Sequence, residues 1–249
     1  MTFTIAARCE RTGQAGLAMA TVSLAVGGLG PWFTSNGDVI SRQAYASKHD
    51  GELMYRAMEQ GNTASEALAV PKERDPNIDF RQLIVLPRQG DPIVFTGEKC
   101  RPWAGHIAGA HFITAGNVLA GEHVVAAMAG AFRTSAQLDL GERLLRALEA
   151  GRDAGGQALP DGTALTERSA SLCVLGSGAD RAIRLHDLRV DMHGSAVHEM
   201  RRLFEVHRVH GAYAESRDLR PAETPSMVVF EAEALRHAGV FASRPSCYR

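Results

Sequence analysis

Along the first residues of the chain, Phe3, Ile5 and Ala7 alternate with Thr2, Thr4 and Ala6, the period-2 pattern of a β-strand. Arg11-Thr12-Gly13-Gln14 supplies turn chemistry, and the small and apolar residues from Leu17 to Leu24 read as the returning arm of a hairpin. Gly27-Gly28-Leu29-Gly30-Pro31 breaks the pattern, and Val39 to Tyr45 reads as a third strand. The period then changes. Leu53 and Ala57, with Met54 and Met58 on the adjacent row, repeat at helical spacing, and Gly61 stands where a left-handed C-terminal stop belongs. A second short helix is expected over 64–70, ended by Pro71. Leu83-Ile84-Val85-Leu86, a turn over 87–92 and Ile93-Val94-Phe95-Thr96 predict another hairpin. The unbroken apolar run at 83–86 suggests a strand covered on both faces.

Residues 112–119 read as a further strand. Two helices follow: Val124, Met128 and Phe132 lie four apart in one, and Leu144, Leu145 and Leu148 form the stripe of the other, with Gly151 expected to close it. Asp139 and Glu142 have capping-box spacing at the start of the second. The stretch 155–163 reads as a loop, and strands near 170–175 and 182–190 flank a Gly176-Ser177-Gly178 turn. A helix over 196–209 is expected to start after Ser195 and to turn Val197, Met200 and Phe204 inward. Blocks of strands, without strict strand–helix alternation, indicate an α+β fold with mainly antiparallel sheets and helices layered outside. One domain is expected over 1–210. Residues 211–249 would form an extension packed on it, with a short helix near 231–237.

Composition adds exclusions. Of 249 residues, 45% are apolar and 22% charged, an ordinary globular balance, and the net charge of −1 comes from interspersed signs. That argues against a dedicated nucleic-acid or membrane surface. The apolar runs fall far short of the roughly 20 residues that a spanning helix needs. The first residues have neither the basic lead nor the apolar stretch of a secretory signal. The four cysteines form no Cys-x-x-Cys pair, so reduced thiols and a cytoplasmic location are the expectation.

Gly27-Gly28-Leu29-Gly30 lacks the Lys-Ser/Thr ending of a phosphate loop and reads as a turn. There are ten histidines but no His-Glu-x-x-His, and Asp191, His193 and His198 are the only close grouping that invites a metal. They read better as solvated surface groups, so neither metal nor other cofactor is expected. No Gly-x-Ser-x-Gly elbow selects a serine. Thr2 is different. Small residues after an initiator methionine are those whose methionine is usually trimmed, and a trimmed Thr2 would carry a hydroxyl and a free α-amine on one residue. An α-amine titrates near 7.7 to 8.0, which suits a general base for that hydroxyl.

Thr2-Phe3-Thr4-Ile5-Ala6-Ala7-Arg8 and Gly16-Leu17-Ala18-Met19-Ala20 resemble the opening of a bacterial and archaeal family numbered 1028 among the domains of unknown function, itself regarded as similar to N-terminal-nucleophile hydrolases. The likeness continues through Gln43-Ala44-Tyr45-Ala46, Phe95-Thr96-Gly97, Cys100-Arg101-Pro102-Trp103-Ala104-Gly105 and Gly116-Asn117-Val118-Leu119-Ala120-Gly121, over roughly residues 2 to 210. It implies a four-layer αββα sandwich and hydrolysis of a non-peptide or small peptide amide, with a small-molecule amide as partner and room for a homo-oligomer. Thr2 falls at the nucleophile position and Asn117 is the candidate oxyanion donor. Thr4, Thr21, Ser23, Gln43 and Thr96 are candidate substrate-binding groups. Many such hydrolases place a lysine or arginine on the second strand, and this chain has none from Leu17 to Pro31. That departure motivates the alternative of a non-catalytic small-ligand-binding protein on the same fold.

Overall fold

The computed structural model describes residues 1–230 and 232. Strands β1 (Thr2–Arg8) and β2 (Ala15–Thr21) form the first hairpin, turning through Gly13 at φ 70°. A single turn of helix, α1 (Val26–Leu29), leads into β3 (Pro31–Phe33) and β4 (Val39–Ala44). Then come α2 (Lys48–Glu59), α3 (Ala64–Arg74), β5 (Arg81–Leu86), β6 (Ile93–Thr96), β7 (Ala104–Gly109) and β8 (Phe112–Asn117). The rest comprises α4 (Glu122–Thr134), α5 (Leu140–Asp153), the short β9 (Gln157–Ala158) and β10 (Ala164–Leu165), β11 (Ser169–Leu175), β12 (Arg184–Val190) and α6 (Ala196–Leu219).

The fold is mixed α/β, and every ladder among the described residues is antiparallel. One sheet has the order β12-β11-β2-β1-β8-β7 and a smaller one the order β3-β4-β5-β6, while β9 and β10 pair with each other. The two middle strands of the larger sheet are therefore β2 and β1, and β1 lies between β2 and β8.

Alternation explains how the two sheets meet. Ala6 of β1, Leu17 of β2, Val39 of β4, Ile84 and Leu86 of β5, and Ile113 of β8 share one apolar cluster between the sheets. Leu83 and Val85, the intervening residues of β5, join Ile40 against Met54, Met58 and Leu68 of α2 and α3. The apolar run at 83–86 is thus buried on both faces, as its composition requires. Each such side chain removed from water contributes about 1.5–3 kcal/mol. Helices α4 and α5 lie against β1, β2, β8 and β11.

Several boundaries differ from the pattern. Pro71 does not end α3 but lies inside it, buried, and a last turn closes when the Asp75 N–H donates to the Pro71 carbonyl at 2.8 Å. The start of α3 is held by a capping box between Thr63 and Glu66. Gly151 does not close α5 either. A Cβ there would stand 2.8 Å from Met128 Cγ and 3.3 Å from Phe3 Cδ2, so the glycine lets α5 pass close over α4 and β1. Asp139 does cap α5, accepting from the Glu142 N–H at 2.9 Å. Helix α6 runs ten residues beyond the expected 209, because no proline stands before Pro221 to stop it. Strand β7 was not anticipated, since Ala-Gly-His-Ile-Ala-Gly carries little strand propensity of its own.

The chain divides into two compact units, Met1–His198 and the part from Glu199 onward. In the second, Tyr213 packs on Phe230 with ring centroids 4.8 Å apart and donates to the Pro225 carbonyl. The short helix expected near 231–237 falls outside the described residues, apart from residue 232. Among the described residues no helix is long and apolar enough to cross a membrane.

Candidate functional site

The register of the larger sheet brings three of the candidate residues together. Thr2, the first residue of β1, pairs with Thr21 of β2 on one side and Asn117 of β8 on the other. All three are buried. The Thr2 hydroxyl donates to Thr21 Oγ1 at 3.3 Å, Thr21 Oγ1 donates in turn to the Met1 carbonyl, and the Ser23 N–H donates to Thr21 Oγ1 at 3.2 Å. The hairpin thus fixes the end of β1 through side chains as well as through its ladder.

Thr4, Gln43 and Thr96 lie one layer deeper, between the sheets. Thr4 donates to Gln43 Oε1 at 2.6 Å, and Gln43 Nε2 donates to Gln82 Oε1 at 2.6 Å. Asn117 Nδ2 donates to the same Gln82 oxygen at 3.1 Å. Gln82 Nε2 has acceptors in Thr96 Oγ1 at 2.8 Å and in the carbonyls of Gly116 and Gly105 at 3.0 and 3.1 Å. Beyond it, Thr96 Oγ1 is 2.9 Å from His106 Nδ1. The chain of contacts follows the ladders, because Gln43 pairs with Gln82 and Gln82 with Thr96 across the smaller sheet. Thr4 and Thr96 therefore belong to a buried network and not to the wall of the Thr2 cleft.

Gln82 is the hub of that network, fully buried, and sequence reasoning missed it. The available signal was its spacing: residues 82, 84 and 86 share a face of β5, so a polar residue stands on the face that Ile84 and Leu86 turn to the core.

Two clefts meet at Met1. One, of about 320 Å³, is lined by Met1, Thr2, Thr21, Ser23, Gln43 and Leu29 among others. The second, of about 160 Å³, is lined by Met1, Ala44, Tyr45, Arg101, Asn117 and Val118. A larger cleft of about 870 Å³ includes Arg88 in its wall. It lies at the opposite end of β1, where Arg8 donates to the Arg88 carbonyl, and its Thr63 hydroxyl is already committed to capping α3. Thr2, Thr21 and Asn117 line the smaller clefts and not this one.

Burial pushes the Met1 α-amine down to about 6, with the nearby Arg101 cation acting in the same direction and Cys100 against it. Burial at this strand end therefore favours the neutral form of the Met1 amine, the form that accepts a proton. The backbone around it is strained. Ala44 at φ 69° and Val118 at φ 56° adopt the left-handed region, and each directly follows a network residue, Gln43 and Asn117. Such conformations persist only where the surroundings enforce them, and they gather at functional sites.

Two of the three metal candidates are otherwise engaged. Asp191 accepts from the Arg189 guanidinium at 3.0 Å, and His193 Nδ1 accepts from the Ser195 N–H at 3.0 Å. Among the described residues no three His, Cys, Asp or Glu side chains are grouped to hold an ion. Cys9, Cys100 and Cys173 are free and buried.

A family model described as a family of unknown function, DUF1028, matches residues 2–200. The crystal structure of a Silicibacter pomeroyi protein of the same family is similar at 29% identity and a TM-score of 0.72, over 82% of this chain and 88% of that one. Two structures align more loosely. Eukaryotic HslV from Trypanosoma brucei has 14% identity and a TM-score of 0.45, over 70% of this chain and 99% of its own. Anbu (ancestral beta-subunit) from Yersinia bercovieri has 13% identity and a TM-score of 0.40, over 86% and 97%. No curated protein matches the chain. With four fifths of its length matched by the family model and a family relative sharing its fold, this chain belongs to the DUF1028 family, whose function is unknown.

Proposed function

We propose that this chain is an amidohydrolase of the N-terminal-nucleophile type, built on an αββα sandwich and active once Met1 has been removed. The sandwich reading is supported by the apolar cluster between the sheets and by helices against each of them. One observation carries the chemistry. The Thr2 hydroxyl lines a cleft at the end of β1 that Met1 also lines, and burial there lowers the pKa of the Met1 α-amine, one residue before the amine that trimming would free.

In this mechanism the Thr2 oxygen attacks the amide carbonyl carbon while the Thr2 amine takes the hydroxyl proton. The amine then returns that proton to the leaving nitrogen, the C–N bond breaks, and an ester to Thr2 remains. Water, deprotonated by the same amine, hydrolyses the ester and frees the acid. Asn117 donates one Nδ2 hydrogen to Gln82, and its second is the candidate donor to the oxyanion. Thr21 orients the Thr2 hydroxyl, and Ser23 and Gln43 contribute to the wall of the cleft. Thr4 and Thr96 act at one remove, through Gln43 and Gln82.

The test is a screen of amide hydrolysis with protein whose intact mass shows Thr2 at the terminus, against Thr2→Ala. Activity in the wild type alone supports the reading, and equal rates in both reject it. The second reading, a non-catalytic binding protein, is favoured by the lack of any lysine or arginine from Leu17 to Pro31, where many such hydrolases place one. With Met1 in place, its residue lines both clefts, its carbonyl is held by Thr21, and the Thr2 nitrogen is an amide with no basic lone pair. Met1 retained on all native protein would select that reading.

A further inference from the structure

The two clefts that meet at Met1 have no aspartate or glutamate in their walls, and their charged groups are the α-amine, Arg42 and Arg101. The two arginines differ. Arg42 lies on the face of β4 away from β1. Its Cδ is 2.8 Å from where a Cβ on Gly51 would stand, beside Trp32, and the nearby Asp50 carboxylate offsets its charge. A structural role accounts for it.

Arg101 has no such account. It is exposed, and no carboxylate lies within ion-pair distance of it among the described residues. Its guanidinium instead sits over the Tyr45 ring, 5.3 Å from the centroid, and Tyr45 lines the same cleft. Stacking on a ring leaves the planar N–H fork free and pre-oriented, which suits bidentate recognition of a carboxylate. An amine is no ion-pair partner for that cation, so holding the two side by side gains the fold nothing. On the other side of Thr2, the wider cleft has Leu24 and Leu29 in its wall, each more than half exposed (54% and 56%). Apolar side chains left open beside a nucleophile offer burial to an apolar group.

We propose that Arg101 is a carboxylate subsite, and that the substrates are N-acylated amino acids. The apolar acyl group would lie along Leu24 and Leu29, the scissile carbonyl at Thr2, and the amino-acid carboxylate on Arg101. This rests on the amidohydrolase reading and adds a substrate class to it.

The test compares N-hexanoylglycine with N-hexanoylglycinamide, which differ only in the carboxylate, by following release of hexanoate. Wild type is expected to favour the free acid by about 10-fold or more in kcat/KM, mainly through KM. Arg101→Gln should bring the free acid down to the level of the amide, and Arg101→Lys should restore part of the preference. Equal rates on the pair in wild type, or a preference that survives in Arg101→Gln, would overturn the proposal while leaving amide hydrolysis intact. A binding arm separates the two failures. Thr2→Ala, which cannot turn the probe over, should bind N-hexanoylglycine more tightly than the glycinamide by calorimetry, and Thr2→Ala with Arg101→Gln should lose the difference. If nothing is hydrolysed, a carboxylate preference in that arm still upholds the Arg101 subsite, and its absence rejects it.

Discussion

The space between the two sheets has an apolar half and a polar half, and four strands contribute to both. On β1 the inward residues run from Ala6 to Thr4 to Thr2, and on β8 from Ile113 and Ala115 to Asn117. On β4 they run from Val39 through Ser41 to Gln43, and on β5 from Leu86 and Ile84 to Gln82. In each strand the change comes toward the Thr2 end. The apolar half needs only burial to hold the sheets together. The polar half is costlier, since each buried amide or hydroxyl must find a partner, and an apolar replacement of similar shape would serve stability as well. Placing the polar groups under the strained turns at Ala44 and Val118 makes sense if their task is to hold Asn117 and the end of β1 in one position.

Four changes would break or sharpen that contrast. Thr2→Ala should lower amide hydrolysis by on the order of 10³-fold or more, while leaving the melting temperature nearly unchanged. Ile84→Ala, in the apolar half, should do the reverse: it should cost about 2–5 kcal/mol in denaturant unfolding, with kcat retained wherever the protein is folded. Gln82→Ala, on the same strand face, should affect both. It orphans Gln43 and Asn117, which should cost about 1–3 kcal/mol of stability. Letting Asn117 drift should lower kcat by on the order of 10-fold to 10²-fold, with little change in KM. Ser41→Ala should have the smallest effect. The Ser41 hydroxyl is buried without a hydrogen-bond partner among the described residues, so its loss should be neutral or stabilising by about 1 kcal/mol. If Gln82→Ala and Ile84→Ala behaved alike in both assays, the two halves would not differ in task.

The pH profile adds a signed expectation. Burial lowers the Met1 α-amine, and the same burial of a freed Thr2 amine would keep it neutral further into acid, so the acid limb of kcat/KM should lie below that of an ordinary α-amine. An ordinary α-amine would place that limb near 7.7 to 8.0.

The parts of the fold that the sequence discloses are those where one strand or helix carries its own pattern. The alternation at Phe3, Ile5 and Ala7 and the run at Leu83–Leu86 are local, and both strands are where the pattern puts them. What a residue meets across the fold is not local. Pro71 and Gly151 look like stops in the chain, yet the first is packed within α3 and the second makes room for Met128 and Phe3. β7 is built of small residues and owes its form to its ladder with β8. At the candidate site, Thr2 was legible from its position in the chain. Thr21 and Asn117 were named as candidates, but their pairing with Thr2 depends on strand register, and although spacing puts Gln82 on the core face of β5, its partners Gln43 and Asn117 depend on how two sheets face each other.

The most direct measurement is peptide mapping by mass spectrometry of untagged protein after exposure to an amide-mimicking electrophile. The account predicts a chain that begins at Thr2 and carries the label on that residue. A chain that retains Met1 throughout, with Thr2 unlabelled, would contradict it.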